Sequence, residues 1–195
     1  MPFGVPKVVF EGSEEEEPTW VDLYNRVYRE RALFLGREIT TELANNLISL
    51  MVFLTIEHPS WEPIMLINSP GGFVFSGLAI YDTIRSVGVS TICLGVAASM
   101  ASVALLGGKF TKRAAFPHAR VMIHQPRMKS FEDSLRRVVK EALVLLDLRE
   151  SVTDIYAHRT GQSWWVLTVD LESDTYMTPK EAKAYGIIDQ IIAEK

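Results

Sequence analysis

The 195 residues carry 48% hydrophobic and 23% charged side chains with a net charge of −4, the balance of a soluble globular chain and a poor one for gripping nucleic acid. The single cysteine, Cys93, excludes an internal disulfide and, within Thr-Ile-Cys-Leu-Gly, reads as a small buried hydrophobe. The longest apolar stretch, from Val89 to Gly108, is punctuated by Gly and Ser and does not read as a membrane span.

The opening MPFGVPKVVF lacks a charged leader and is broken by Pro2, Gly4 and Pro6, and Glu14 to Glu17 follow where a transit peptide would be acid-poor. The chain is therefore expected to be mature as written, with residues 1–18 an N-terminal arm and 19–195 one domain. Thr19 with Asp22 forms a capping-box pattern ahead of Trp20, Leu23, Tyr24, Val27 and Tyr28 at helical spacing, which predicts a helix from Thr19. Arg31 to Gly36 reads as a short buried strand, and Thr41 to Ile56 as an amphipathic helix with Leu43, Leu47, Leu50, Met51 and Leu54 on one side.

Strands and helices then alternate. Ile64 to Asn68 is a strand, Ser-Pro-Gly-Gly a turn and Leu78 to Ile84 a helix; Val89 to Leu94 is a strand and Met100 to Leu106 a helix, with Gly107-Gly108 as its C-cap. Such alternation implies an α/β fold with parallel pairing and right-handed crossovers. Two short strands follow, Ala114 to Phe116 and Arg120 to Ile123, the second stopped at Gln125-Pro126. Ser130 with Asp133 is placed to cap a helix reaching Thr160-Gly161, long enough to overhang the domain and pack on another subunit or to lie across one sheet face. Thr178-Pro-Lys-Glu181 is a capping box with proline at the first helical position, Gly186 ends that helix, and Ile187 to Ile192 closes the chain as a strand.

Ligands of parallel sheets bind beyond the carboxyl ends of the strands, and three features lie there: Gly71-Gly72, Ser99 and His124. The glycines leave backbone N–H groups able to approach a ligand, as an oxyanion hole requires, although a Gly-Gly pair is more often a plain turn. Ser99 sits where a strand gives way to a helix, with the Met100 N–H beside it. Alone it reads as a helix cap, and G-x-S-x-G is absent. His124 follows Val121 to Ile123 directly and alone reads as a satisfied core histidine, while His58, His118 and His158 read as loop or surface residues. A serine nucleophile needs a base and the base an acid, and spacing does not choose among Asp170, Glu172, Asp174 and Asp189. Neither a P-loop nor H-E-x-x-H nor a cysteine pair is present, so no ATP or metal site of its own is expected.

The ordered blocks YNRVYRERALFLG, INSPGG, GLAIYDTI, GVAASM, ARVMIHQP and YMTPKEAKAYGIID, from Trp20 to Ile192, resemble the ClpP family, the proteolytic subunits of the Clp protease. MPFGVPKV with GGKFTKRAAFPHARVMIHQP is most similar to the plastid-encoded type, which implies the chloroplast stroma. The resemblance implies a crotonase-like α/β fold of repeated ββα units with a protruding handle at about 125–160. By position it puts the nucleophile on Ser99, the base on His124, the acid on Asp174 and the oxyanion donors on the backbone N–H groups of Gly72 and Met100. It implies a serine endopeptidase of unfolded proteins in two stacked seven-membered rings, with other ClpP-type or inactive ClpR-type subunits, fed by a ClpC-type Hsp100/AAA+ unfoldase that alone uses ATP. A silent ring subunit and a crotonase-type acyl-CoA enzyme are the rival readings.

The chain also departs from that family. Ala101 replaces the glycine that usually follows Ser-Met, Arg127-Met-Lys-Ser130 replaces a glycine-rich strand that pairs with substrate, and Ser173 replaces the arginine before the acid. Ile64 and Leu66 stand where many relatives carry aromatic residues for unfoldase docking, and Arg85 to Thr91 is shortened.

Overall fold

The computed structural model describes residues 4–10, 19–127 and 133–192. Strand β1 (Lys7–Phe10) pairs antiparallel with β2 (Thr19–Asp22), so Thr19 lies in a hairpin strand and opens no helix. The first helix, α1 (Leu23–Arg29), is capped by Asp22, whose carboxylate accepts the Asn25 N–H at 2.9 Å. The Thr-x-x-Asp pattern fits a capping box, but pairing with β1 takes Thr19 into the ladder and leaves Asp22 to do the capping. Residues 1–3 and 11–18 of the expected arm, including Glu14 to Glu17, lie outside the described residues.

Strand β3 (Ala32–Leu35) leads to α2 (Thr41–Glu57), which turns Leu43, Ala44, Leu47, Met51 and Leu54 inward. Two further strand-helix units follow: β4 (Ile64–Ser69) with α3 (Val74–Val87), and β5 (Ser90–Ala98) with α4 (Met100–Gly107). Every residue of α4 is buried, the property of a helix that is apolar all round. Gly108 is its C-cap, but with φ −54° it is required by packing and not by handedness: a Cβ there would fall 2.2 Å from Thr91 Oγ1.

The rest of the sheet comes from β6 (Arg113–Ala115) and β7 (Arg120–Ile123). Helix α5 (Leu135–Thr160) ends at the left-handed Gly161; its expected cap Ser130 lies outside the described residues, and Ser134 holds the cap position. Its buried residues, Val152, Thr153, Tyr156 and Arg159, all belong to the C-terminal third, while Leu135, Leu143 and Leu146 are exposed, so the N-terminal part projects beyond the body. Helix α6 (Trp164–Asp170) and strand β8 (Thr175–Met177) come next. The expected capping box opens α7 (Pro179–Tyr185), and β9 (Gln190–Ile191) is shorter than the Ile187–Ile192 strand expected, because Ile187 and Ile188 are spent burying the turn.

The sheet runs β3-β4-β5-β6-β9, all parallel, and β5 is its pivot. Thr91–Cys93 of β5 pair with β6, whereas Val96–Ala98 pair with β7, parallel again, and β7 carries β8 antiparallel on its other side. This branching sets up the site. The carboxyl ends of β5 and β7 coincide because they are parallel, and the start of β8 meets the end of β7 because they are antiparallel.

Two buried guanidinium groups tie the C-terminal elements to α4. Arg113 binds Asp189 through Nε and Nη2 at 2.9 and 2.6 Å, and Arg159 donates through Nε to the Leu106 carbonyl at 2.8 Å and through Nη2 to that of Gly108. Both cations pack on the ring of Phe110.

Candidate active site

Ser99, His124 and Asp174 are brought together by the three strand ends just described. The Ser99 N–H donates to the Met122 carbonyl at 2.9 Å, which locks the end of β5 to β7. Pairing of Ile123 with Thr175 sets His124 and Asp174 side by side one position on. His124 Nδ1 then lies 2.8 Å from Asp174 Oδ1 and His124 Nε2 lies 2.8 Å from Ser99 Oγ. An ionised carboxylate only accepts, so Nδ1 carries the proton and Nε2 is left as the acceptor of the serine O–H. The hydrogen bond from His124, aided by the Arg127 guanidinium, holds the Asp174 carboxyl below the ordinary carboxylate range.

Ser99 is not a side-chain cap. It occupies the residue before α4 at φ 54°, ψ −128°, with no hydrogen bond from its hydroxyl to the helix backbone. A non-glycine residue in that region is strained. The strain turns Oγ out of the helix start and toward His124, the geometry of a nucleophile elbow without the glycines of that motif. Ala97 and Ala98 before it are buried, and Ser99 itself is half-buried.

The glycine turn packs directly on this elbow. Gly71 has φ 94°, and a Cβ on it would come 2.7 Å from both Ser99 Cβ and the Ala98 carbonyl oxygen. Gly72 forms a bridge with Ile39 in which the Gly71 carbonyl accepts from Ile39 and Phe73 donates back to it. That pattern uses the groups on either side of Gly72 and turns the Gly72 N–H away from Ile39. The Met100 N–H, at the first position of α4, has no acceptor within its own helix. Side chains hold the turn in place: Ser69 Oγ donates to the Arg37 carbonyl at 2.7 Å and accepts the Gly71 N–H at 3.1 Å, and Asn68 Oδ1 accepts the Val96 N–H at 3.1 Å across the register shift between β4 and β5.

The other carboxylates have different partners. Asp170 accepts the Tyr185 hydroxyl at 2.7 Å, Glu172 accepts from Arg149 at 3.2 Å, and Asp189 serves Arg113. His58 packs on Trp61. Three further side chains contribute to the site. Asn68 and Ser69 stand inside INSPGG, where glycines give the stronger turn signal, and Arg127, which donates to Asp174 Oδ1 at 2.8 Å, lies beyond the strand end with no local pattern to mark it. Beside the site an apolar groove of about 410 Å³ is lined by Phe73, Val74, Phe75, Val144, Leu148 and Arg127. Among the described residues, no cluster of three His, Cys, Asp or Glu side chains offers a metal site, and no helix is long and apolar enough to cross a membrane.

A model of the Clp protease family matches residues 13–195. Curated relatives align along their whole length. The ATP-dependent Clp protease proteolytic subunits of Lotus japonicus and Nicotiana tabacum are 53% and 54% identical over 196 residues, covering 100% of this chain and of each relative. The chloroplastic ATP-dependent Clp protease proteolytic subunit 1 of Arabidopsis thaliana is 53% identical over the same span. The chain belongs to the Clp protease family. Its mixed α/β body with a parallel sheet is accordingly the ClpP/crotonase-like fold. Within that fold Ser99 and His124 directly follow strands β5 and β7, where general rules for parallel sheets put ligands.

Proposed function

We propose that this chain is a catalytically active serine endopeptidase subunit of an ATP-dependent Clp protease, with Ser99 as nucleophile, His124 as general base and acid, and Asp174 as the orienting carboxylate. The observation that carries the reading is the unbroken hydrogen-bonded row Asp174–His124–Ser99, each link at 2.8 Å, ending on a serine held at positive φ. His124 Nε2 takes the hydroxyl proton as Oγ attacks the peptide carbonyl, then delivers it to the leaving amine; Asp174 fixes the ring and faces the imidazolium charge. The Gly72 and Met100 N–H groups receive the oxyanion, each donor contributing about 3–4 kcal/mol in comparable sites. The apolar groove beside Gly72 and Arg127 suits an apolar side chain of an extended peptide.

Membership of the family supports a reading of the partners as well. Stacked heptameric rings shared with ClpP-type or ClpR-type subunits would enclose the site, with α5 as the handle and its exposed leucines placed to meet another subunit. A ClpC-type Hsp100/AAA+ unfoldase supplies unfolded substrate and consumes the ATP, so the chain itself needs no cofactor. The chloroplastic name of the Arabidopsis thaliana relative supports a plastid location, and we place the chain in the stroma there.

Reaction of the assembled complex with a fluorophosphonate tests the assignment: mass analysis should find Ser99 of this chain modified, and not in Ser99→Ala. Absence of label on Ser99 in a complex that contains the chain would make it a silent ring subunit.

A further inference from the structure

Behind the nucleophile a chain of hydroxyl groups runs into the core. Ser102 Oγ lies 2.6 Å from the Ser99 carbonyl oxygen and 2.6 Å from Tyr156 Oη. Both side chains are fully buried. The direction of the bonds is fixed by counting protons. A carbonyl only accepts, so the single Ser102 hydroxyl proton goes to Ser99, and Ser102 Oγ must accept the Tyr156 proton. Burial pushes the Tyr156 phenol above its ordinary value, so it remains a donor at neutral pH.

The Ser99 carbonyl and the Met100 N–H belong to one peptide group. That group is planar and trans, so aiming the carbonyl in one direction aims the N–H in the opposite one. At φ 54°, ψ −128°, Ser99 has no helical hydrogen-bond pattern on its N-terminal side to hold that plane. The plane is held from below by Ser102 Oγ and by the backbone N–H groups of Ser102 at 2.9 Å and Val103 at 3.4 Å, the side-chain bond being the shortest of the three. Tyr156 polarises that bond and fixes the Ser102 rotamer.

We propose that Tyr156 and Ser102 are positioning residues for the oxyanion hole: the relay Tyr156 O–H to Ser102 O–H to Ser99 carbonyl orients the Ser99–Met100 peptide so that the Met100 N–H points at the developing oxyanion. Tyr156 lies on α5, near the end opposite its projecting part, so the helix that leaves the body also sets the aim of the donor. This inference rests on the assignment of Ser99 and Met100 under Proposed function.

The test is the rate at which a peptidyl fluorophosphonate modifies Ser99 in the assembled complex, followed on this chain by mass so that other subunits do not contribute. The tetrahedral phosphonyl group places an oxygen in the oxyanion hole, whereas the initial complex does not depend on it. Tyr156→Phe and Ser102→Ala should each lower the maximal modification rate about 3- to 10-fold, the weight of a hydrogen bond of about 1 kcal/mol. The half-saturating concentration should stay unchanged, and the double variant should be no slower than Ser102→Ala, since Tyr156 acts through Ser102. Equal rates in the unmodified chain and both variants would overturn the relay, as would additive losses or a change confined to half-saturation. Failure of the unmodified chain to react at Ser99 would instead overturn the catalytic reading. Each substitution removes a single oxygen, and Ser102→Ala tests the link to the Ser99 carbonyl by itself if Tyr156→Phe does not assemble.

Discussion

Arg127 and His124 hold the same oxygen of the same carboxylate: Arg127 Nη2 and His124 Nδ1 each lie 2.8 Å from Asp174 Oδ1. The residue before Asp174 is Ser173, which brings no charge of its own, and Arg127 supplies a guanidinium to that carboxylate from beyond the end of β7. Arg127 and Asp174 are about half exposed, so solvent screens the pair and its weight is that of a surface ion pair. Arg127→Gln is expected to lower kcat for peptide cleavage about 2- to 5-fold, and Arg127→Lys to recover part of the loss. Steady-state kinetics in an Asp174→Asn background check the route, because Arg127→Gln should there have no further effect.

A second ion pair controls stability instead of chemistry. Burial opposes ionisation of Asp189, but the hydrogen bonds and charge of Arg113 outweigh it and hold the carboxyl below the ordinary range. A depressed carboxylate contributes its full stabilisation above its unfolded value near pH ~3.9, and loses it as pH falls through the lower folded value. Asp189→Asn leaves the nearly buried Arg113 cation without its counter-charge, and a loss of about 2–3 kcal/mol is expected at pH 7, less than for a fully buried pair because Asp189 is 20% exposed. Denaturant titrations at several pH values should show that gap constant from pH ~7 to ~5 and closing below pH ~4.

The sequence made the strand ends visible and hid what lies behind them. The positions of Ser99 and His124 at strand ends were legible because each follows a continuous apolar run, but alone Ser99 read as a helix cap and His124 as a core histidine. Asp174 was not legible, since β8 has three residues and lies antiparallel, so only the family resemblance separated it from Asp170, Glu172 and Asp189. Helix α6 went unread because Leu167 is its only buried residue, while Trp164, Trp165 and Val169 are exposed and form no inward stripe. Ser102 and Tyr156 are 54 positions apart, and no local pattern announces a pairing made by folding α5 onto α4. Thr19 shows the opposite failure, a good local capping pattern overridden by a strand partner at Lys7–Phe10.

Cys93 should behave as a core residue. Burial pushes its thiol up to about 12. At pH ~8 the thiolate is then only about one part in ten thousand, and the side chain is inaccessible as well. Native protein treated with iodoacetamide is expected to keep Cys93 unmodified over hours, whereas denatured protein should react fully, with peptide mass as the readout. Rapid native alkylation would show that β5 opens locally.

Gly71 is the position where the smallest change should separate folding from activity. Alanine there would hold a positive φ of 94°, at a cost of about 1–2 kcal/mol, and its methyl would meet Ser99 Cβ at 2.7 Å and the Met100 nitrogen at 3.0 Å. Neither neighbour is the free end of a flexible chain: one belongs to the nucleophile and the other to the backbone donor beside it. The overlap is relieved by moving the elbow, which swings Oγ from His124 Nε2 and turns the Met100 N–H. Gly71→Ala is therefore expected to reduce Ser99 modification by fluorophosphonate more than tenfold while lowering the melting temperature by a few degrees. Gly4→Ala, where an added Cβ meets nothing within 4 Å, serves as the control and should leave both measurements unchanged.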